Sequence, residues 1–487
     1  MKKINYSFVL FGILLWNVSC GPKPAFECLP ATSNELKQAI VWLPESEDSN
    51  SAIIKKLGAD TLTLTASCPC NKSLQLWGKD TPIYGTIGES DDHRKPRGGS
   101  GSSIDLYGTE ISPNYRIYDP STPAIPIISP NDKTSFLPSP VLGQPILIGV
   151  LDSGLKRDKG LSDIPLWKNQ YENPDRNDDQ DRNGLKGDVD GWDFTELTET
   201  GGSGWQIDES NHGTAVTAFI ADELRQFKYQ IMPLKVLGQD KNGHLFNAIC
   251  AMEYARQQMV KQSSGKIKDI VKYPAFPKKE ASAQLMDKNK VRGILNLSWG
   301  YYDLQSPILK TMLDKLRADG ILVVAAAGNQ GGNACDDADT TTTKRNLSTR
   351  KRKFFPAAYE LDNLIVATTV DWQSGENKSA TDWSNSIVSL RYAENQNYSN
   401  RYVDVGVLGD RSYFFNLPYL PSSEVWGSSI AAPIATAQIA KAVTAGQNSK
   451  TDIFNWLKSP PNRYVLTSTE LQPYIKEGKY TKRKIKP

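Results

Sequence analysis

Histidine is scarce in this chain, with three among 487 residues. Any mechanism that needs an imidazole base has three places to put it, and none lies close enough to the cysteines in sequence to suggest a zinc site. An excess of one charge is also missing. Lys and Arg number 57 against 54 Asp and Glu, and a net charge of +3 is too small to make nucleic acid a main partner. The apolar run Phe8–Trp16, after Met1-Lys2-Lys3, falls short of the roughly 20 residues that a spanning helix needs and reads as a secretory signal. Cysteine is sparse, at six. With Cys20 set apart at the end of that signal, Cys28, Cys68, Cys70, Cys250 and Cys335 remain, and an odd number cannot all pair within one chain. Cys68 and Cys70 are too close to bridge comfortably, so the expected bond runs from Cys28 to one of them, with Cys250 a core residue inside a helix.

What the chain does have is ordinary globular composition, 39% hydrophobic and 23% charged, at a length that suggests two or three domains. Its most informative stretch is Gly427-Ser428-Ser429-Ile430-Ala431-Ala432-Pro433, a small-residue turn running into an Ala-rich helix. Gly427 permits a sharp turn, and Pro433 is expected at an early helical position where a missing N–H costs little. Ser429 then sits at a helix N-terminus, where free amides and the positive end of the dipole can stabilise an oxyanion beside its hydroxyl. Taken alone, a serine in such a place is more often only a cap.

A serine hydroxyl is a poor nucleophile until a base takes its proton, and a carboxylate usually holds that base. His93 lies in a Gly/Ser/Arg-rich stretch and His244 in a Gly-containing turn, whereas His212 opens Asn211-His212-Gly213-Thr214-Ala215-Val216, a second small-residue start to an apolar helix. His212 is therefore the candidate base. The candidate carboxylate, Asp152, ends Ile146-Leu147-Ile148-Gly149-Val150-Leu151-Asp152. That continuous apolar run reads as a buried parallel strand, and its carboxyl end is where α/β sheets place their sites.

The order Asp, His, Ser and the three local contexts resemble the subtilisin-like serine proteases. Ala215 and Ile430 replace the second His and the Met usual in the family, and neither departure touches a reacting atom. Further matches follow in order: Pro233-Leu234-Lys235-Val236-Leu237-Gly238 resembles the substrate-binding strand, Ile294-Leu295-Asn296-Leu297-Ser298-Trp299-Gly300 the strand beside the specificity pocket, and Ala325-Ala326-Ala327-Gly328-Asn329 the segment with the oxyanion asparagine. The resemblance implies an α/β fold with a doubly wound, mostly parallel sheet and flanking helices. It also implies a serine endopeptidase with Asp152, His212 and Ser429 as triad and Asn329 at the oxyanion, acting on a protein or peptide. The substrate backbone is expected to lie as an antiparallel strand between Lys241-Asn242-Gly243 and Ser298-Trp299-Gly300. Trp299 stands where the family commonly has a smaller residue and is expected to line the groove, the alternative being that it folds back onto the core.

Ser19-Cys20 resembles the bacterial lipobox, although Asn17 departs from it; the implication is an envelope protein with lipid on Cys20, on the outer membrane or cell surface, with free secretion as the alternative. Residues 1–20 are then the signal and 21–84 a small α+β unit similar in element order to the family's prodomain. The Gly/Ser/Pro-rich stretch 85–140 reads as a linker, 141–450 as the catalytic domain and 451–487 as an extension whose basic tail trails in solvent. Between Asp152 and His212, the residues Asp179, Asp181, Asn183, Gly184 and Asp190 fit positions 1, 3, 5, 6 and 12 of an EF-hand loop. Crowded carboxylates repel one another without a cation, so structural calcium is expected. The basic runs 256–292 and 344–353 read as solvated faces. Two other classes compete with the enzyme: an inactive peptide-binding lipoprotein on the same scaffold, which would be expected to lose a triad residue, and a calcium-dependent surface structural protein, which leaves the triad unexplained.

Overall fold

The computed structural model of the chain describes residues 38–43, 63–78, 110–118, 145–157, 161–173, 178–200, 202–264, 291–303, 305–329, 345–350, 353–374, 387–392, 396–408, 427–458, 465–467 and 481–484. Cys20, Cys28, Cys335 and the helix expected at 51–57 lie outside them.

The N-terminal strands β1 (Gln38–Trp42), β2 (Thr63–Cys68), β3 (Asn71–Gly78) and β4 (Glu110–Pro113) form an antiparallel sheet in the order β2-β3-β1-β4. A further strand, β5 (Arg116–Tyr118), follows at once. Both β4 and β5 fall in the stretch expected to be linker. Their Ile-containing segments pair with partners far away in sequence, which local Gly/Ser/Pro composition does not reveal.

The large sheet carries β6 (Ile146–Asp152), β7 (Trp192–Asp193), β8 (Tyr229–Lys235), β10 (Gly293–Leu297), β12 (Ile321–Ala326), β14 (Leu364–Ser374) and β16 (Val405–Leu408), all parallel, in the order β16-β14-β12-β10-β6-β8-β7. Three antiparallel strands extend it: β15 (Ile387–Tyr392) on β14, β17 (Val465–Thr467) on β16, and β18 (Thr481–Lys484) on β15. The tail expected in solvent thus contributes a strand. Short ribbons pair β9 (Asn242–His244) with β5 and β11 (Tyr301–Asp303) with β13 (Lys353–Phe355).

Strand β6 is apolar and buried along its length because helices cover both faces. Leu147 and Leu151 point into one core with α2 (Leu245–Ser264) and α3 (Pro307–Ala318). Ile148 and Val150 point into the other with α1 (His212–Glu223), α4 (Ser428–Thr444) and α5 (Lys450–Leu457). Helix α4 is apolar on nearly every side, as a helix enclosed by the fold must be. No helix among the described residues is long and apolar enough to cross a membrane.

Cys68 bonds to Cys250, not to Cys28, across a Cα separation of 5.6 Å and 182 residues of sequence. The bond ties the N-terminal sheet to α2, and Cys70 stays a thiol with its Sγ 3.2 Å from that of Cys68. Burial and the nearby Glu253 carboxylate raise the Cys70 pKa, which keeps the thiol protonated beside the bond. Two basic residues of the stretch read as solvated are buried and paired. Arg256 contacts Glu253 at 2.9 Å and Asp319 at 2.5 Å, and Lys261 reaches Asp181 at 2.7 Å. Burial alone would raise the Glu253 pKa, yet the Arg256 guanidinium outweighs it and holds the carboxyl at about 2.

Candidate active site

The site sits at the carboxyl ends of β6, β10 and β12. Asp152, the last residue of β6, accepts a hydrogen bond at Oδ1 from His212 Nδ1 over 2.7 Å, and both side chains are fully buried. With Nδ1 as donor, Nε2 is left as the acceptor facing outward from the carboxylate, the tautomer a general base needs. Ser153 N–H, at 2.8 Å, also donates to Asp152 Oδ1. His212 is the first residue of α1, whose N-terminus is anchored by Asp208. That carboxylate accepts from Thr214 N–H at 2.8 Å and from the Thr214 hydroxyl at 2.6 Å, and Ser153 Oγ donates to it at 2.8 Å. An anion at this end complements the helix dipole and fixes where the imidazole projects. Lys235, buried at the end of β8, donates to the carbonyls of Ser153 at 2.6 Å and Ile207 at 2.8 Å, clamping the turn after Asp152.

Ser429 occupies the second position of α4, preceded by Gly427 with φ of +131°. The positive φ favours glycine, and a Cβ there would crowd Asn329 Nδ2 at 3.0 Å. Asn329 Oδ1 accepts from Ser428 N–H and Ser428 Oγ, each at 3.0 Å, and so caps the start of the helix. Pro433 lies in the second turn, not the first. Its missing N–H frees the Ser429 carbonyl four residues back, and Ser298 Oγ donates to that carbonyl at 2.7 Å. A chain of bonds continues through Asn296, whose Nδ2 donates to Ser298 Oγ at 3.0 Å and whose Oδ1 accepts from Thr436 Oγ1 at 2.9 Å. The proline therefore locks the Ser429 turn to β10. The Ser429 hydroxyl itself is buried and makes no hydrogen bond to the described residues.

The two segments expected to hold a peptide do face one another, and a strand already lies between them. β5 pairs antiparallel with β9, Ile117 opposite Gly243 and Tyr118 opposite Asn242. On its other edge Tyr118 N–H donates to the Gly300 carbonyl at 3.0 Å and Gly300 N–H to the Tyr118 carbonyl at 3.1 Å. Gly243 and Gly300 let the backbones approach: a Cβ on Gly243 would meet the Val236 carbonyl oxygen at 2.1 Å, and one on Gly300 would meet Phe354 Cζ at 2.3 Å. Lys241 turns the loop with φ of +60°, and Asn242 is tied to Asp240. Trp299 is wholly buried in the apolar cluster that also contains Ile117 of β5.

A profile of the subtilase family matches residues 143–472, more than half of the chain. The chain belongs to the subtilase family. A comparison with curated proteins gives no match. Among solved structures this subtilase is similar to fervidolysin from Fervidobacterium pennivorans, a keratinolytic enzyme related to subtilisin, at 15% identity and a TM-score of 0.43. That match covers 85% of this chain and 55% of fervidolysin, so the subtilase spans little more than half of that relative's length. It is also similar to the S41 psychrophilic protease, at 18% identity and a TM-score of 0.39, over 64% of this chain and 81% of that one. The subtilase fold is the α/β architecture expected, and its family is one of serine proteases.

The acidic loop is arranged differently from the EF-like spacing. Glu172, Asp179 and Asp181 each offer an oxygen within 4.8 Å of the others. Asn183 Nδ2 donates to Asp181 at 3.3 Å and to Asp188 at 2.8 Å, while Asp190 turns away to pair with Lys168 at 2.6 Å. Gly187, with φ of +71°, bends the chain between Asn183 and Asp190. Glu172 and Asp188 are the carboxylates that spacing missed. Burial pushes the Asp188 carboxyl up to about 7 and raises Glu172 as well, and Glu172 Oε2 and Asp188 Oδ1 are buried without a hydrogen bond to the described residues.

Proposed function

We propose that this subtilase is an exported serine endopeptidase that opens protein or peptide chains through an acyl-enzyme. Ser429 Oγ attacks the carbonyl carbon as His212 Nε2 takes its proton, and Asp152 holds the imidazole and stabilises its charged form. Asn329 Nδ2 and the Ser429 N–H receive the oxyanion. The proton passes to the leaving amine, and water repeats the sequence to release the new carboxyl end. The observation that carries this reading is the 2.7 Å contact between buried Asp152 and His212, together with a helix start at Ser428-Ser429 that Asn329 Oδ1 holds through the Ser428 N–H. Covalent labelling by a fluorophosphonate, mapped to Ser429 by mass spectrometry, tests it. In the arrangement described, β5 holds the place of a substrate strand, so another chain is cut only once β5 leaves the groove.

Calcium belongs to the same reading. The donor set is all oxygen, as a hard cation prefers, and its Glu172 Oε2, like Oδ1 of the neighbouring Asp188, is buried without a hydrogen bond to the described residues. Lys261 supplies only one positive charge to the carboxylates of Glu172, Asp179, Asp181 and Asp188. The ion would hold the loop against α2 and takes no part in the chemistry. Calcium at a hundredfold excess over its Kd is expected to add about 2.7 kcal/mol of stability. A melting temperature that is the same in calcium and in chelator, with no metal seen by native mass spectrometry, removes the ion.

The reading also places the protein in the cell envelope, on the support of Ser19-Cys20 after a short apolar run. The mature N-terminus should be Cys20 bearing lipid, and the protein should partition with membranes. An unlipidated N-terminus in the soluble fraction excludes the anchor.

A further inference from the structure

The strand that fills the groove reports which side chains the groove is shaped to take. Successive residues of a strand point to opposite faces, so Ile117 and Tyr118 report on two different surfaces. Ile117 has no exposure and lies in the apolar core. Tyr118, pointing from the other side of the strand, packs against the edge of that same cluster, where the ribbon β11–β13 supplies the contacts. Its ring centroid is 6.5 Å from that of Tyr302, tilted by 36°, and 6.3 Å from that of Phe354, edge to face at 70°. Arg350 stacks its guanidinium 4.3 Å from the Tyr302 centroid.

This surface is held in place by contacts that do not involve Tyr118. Tyr302 and Phe354 are cross-strand partners whose centroids are 4.9 Å apart. The Tyr302 hydroxyl donates to the Asn329 carbonyl at 2.6 Å and accepts from Asn397 Nδ2 at 2.6 Å. Phe354 is wedged where Gly300 and Gly328 have no Cβ; a Cβ would meet its ring at 2.3 Å and 2.7 Å respectively. Rings fixed in this way lose little freedom when a third ring is added, which is the condition for selectivity and not mere stickiness. Burial raises the Tyr118 pKa, so its phenol stays neutral against this surface.

We propose that Tyr302, Phe354 and Arg350 form a subsite of the peptide groove that selects an aromatic residue, directly after a buried aliphatic one, in the extended chain bound there. The inference rests on the peptidase reading and narrows its substrate class to segments of the form aliphatic-aromatic. It also explains why Arg116-Ile117-Tyr118 holds the groove in the intact chain. Aromatic pairs add to affinity beyond the area they bury, and the combined effect expected is about tenfold.

Two measurements on the full-length protein test this. The first is amide hydrogen exchange of residues 116–118 and 300 in the wild type, Tyr118→Ala, Tyr118→Phe and Phe354→Ala, which needs no catalysis. Tyr118→Ala and Phe354→Ala should exchange about ten times faster in these segments, while Tyr118→Phe stays near the wild type. Wild-type protection in Tyr118→Ala overturns the proposal. The second is fluorophosphonate labelling of Ser429 in Tyr118→Ala, competed by two peptides that differ only in Arg-Ile-Tyr against Arg-Ile-Ala. The Tyr peptide should protect Ser429 at about one tenth of the concentration the Ala peptide needs, and adding Phe354→Ala should erase that difference. Equal protection by both peptides overturns the subsite. If Ser429 takes no label in any variant, the peptidase reading fails, and the exchange data still decide whether the surface prefers an aromatic ring.

Discussion

Ser429→Ala is expected to abolish peptide hydrolysis and fluorophosphonate labelling together, whereas Ser428→Ala keeps both. The two hydroxyls are neighbours in sequence but differ in what they touch. Ser428 Oγ and N–H both donate to Asn329 Oδ1 at 3.0 Å, so the alanine variant retains the backbone half of that cap and loses one neutral hydrogen bond. Such a loss is about 0.5–1.5 kcal/mol, no more than roughly tenfold in rate if all of it falls on the transition state. Ser429 Oγ has no cap to make. A Cβ at residue 427 would stand 3.4 Å from it, and the Ser429 carbonyl accepts from Ser298 Oγ. In subtilisin, removing the nucleophile of such a triad lowers kcat by on the order of 10⁶. The opposite outcome, a dead Ser428→Ala beside an active Ser429→Ala, would mean that the nucleophile has been placed one residue out of register.

The second large effect concerns the Cys68–Cys250 bond. It closes a loop of 182 residues in sequence separation, and chain entropy for a loop of that size amounts to about 5 kcal/mol. Cys250→Ser is therefore expected to destabilise the protein by about 2–5 kcal/mol in urea unfolding, and a reductant should do the same to the wild type. Cys68→Ser should cost less under oxidising conditions, because Cys70 Sγ lies within 4.8 Å of the other two sulfur atoms and is free to take the vacated partner. The double variant Cys68→Ser/Cys70→Ser should then fall to the level of Cys250→Ser. Equal losses for Cys68→Ser and Cys250→Ser would show that Cys70 does not substitute. Whatever the outcome at Cys70, the bond keeps the N-terminal sheet attached to α2 even if the chain is cut between them, so β5 stays close to the groove it occupies.

The candidate site positions were legible because each rests on a local pattern. An apolar run ending in Asp152, a small-residue helix start at His212 and the turn at Gly427-Ser429 are short-range consequences of backbone sterics and strand burial, and they needed no knowledge of the neighbours. Two signals were legible but not used: Lys235 interrupts an otherwise apolar strand, and Asp208 stands just ahead of a helix start, each a sign of a buried polar contact.

By itself, the sequence determined the parallel α/β core and the residues of the candidate triad, since hydrophobic periodicity and turn residues act over a few positions. Only the tertiary structure decided the rest. Glu172, from well ahead of the loop, joined Asp179 and Asp181 in the acidic cluster while Asp190 paired with Lys168. Lys261 and Arg256 left the solvent because carboxylates far away in sequence came to meet them. Cys250 found Cys68, and Arg116-Ile117-Tyr118 found the groove, through contacts spanning more than a hundred residues. Pairings of that range depend on where the whole chain brings its segments together, and no window of local sequence contains that information.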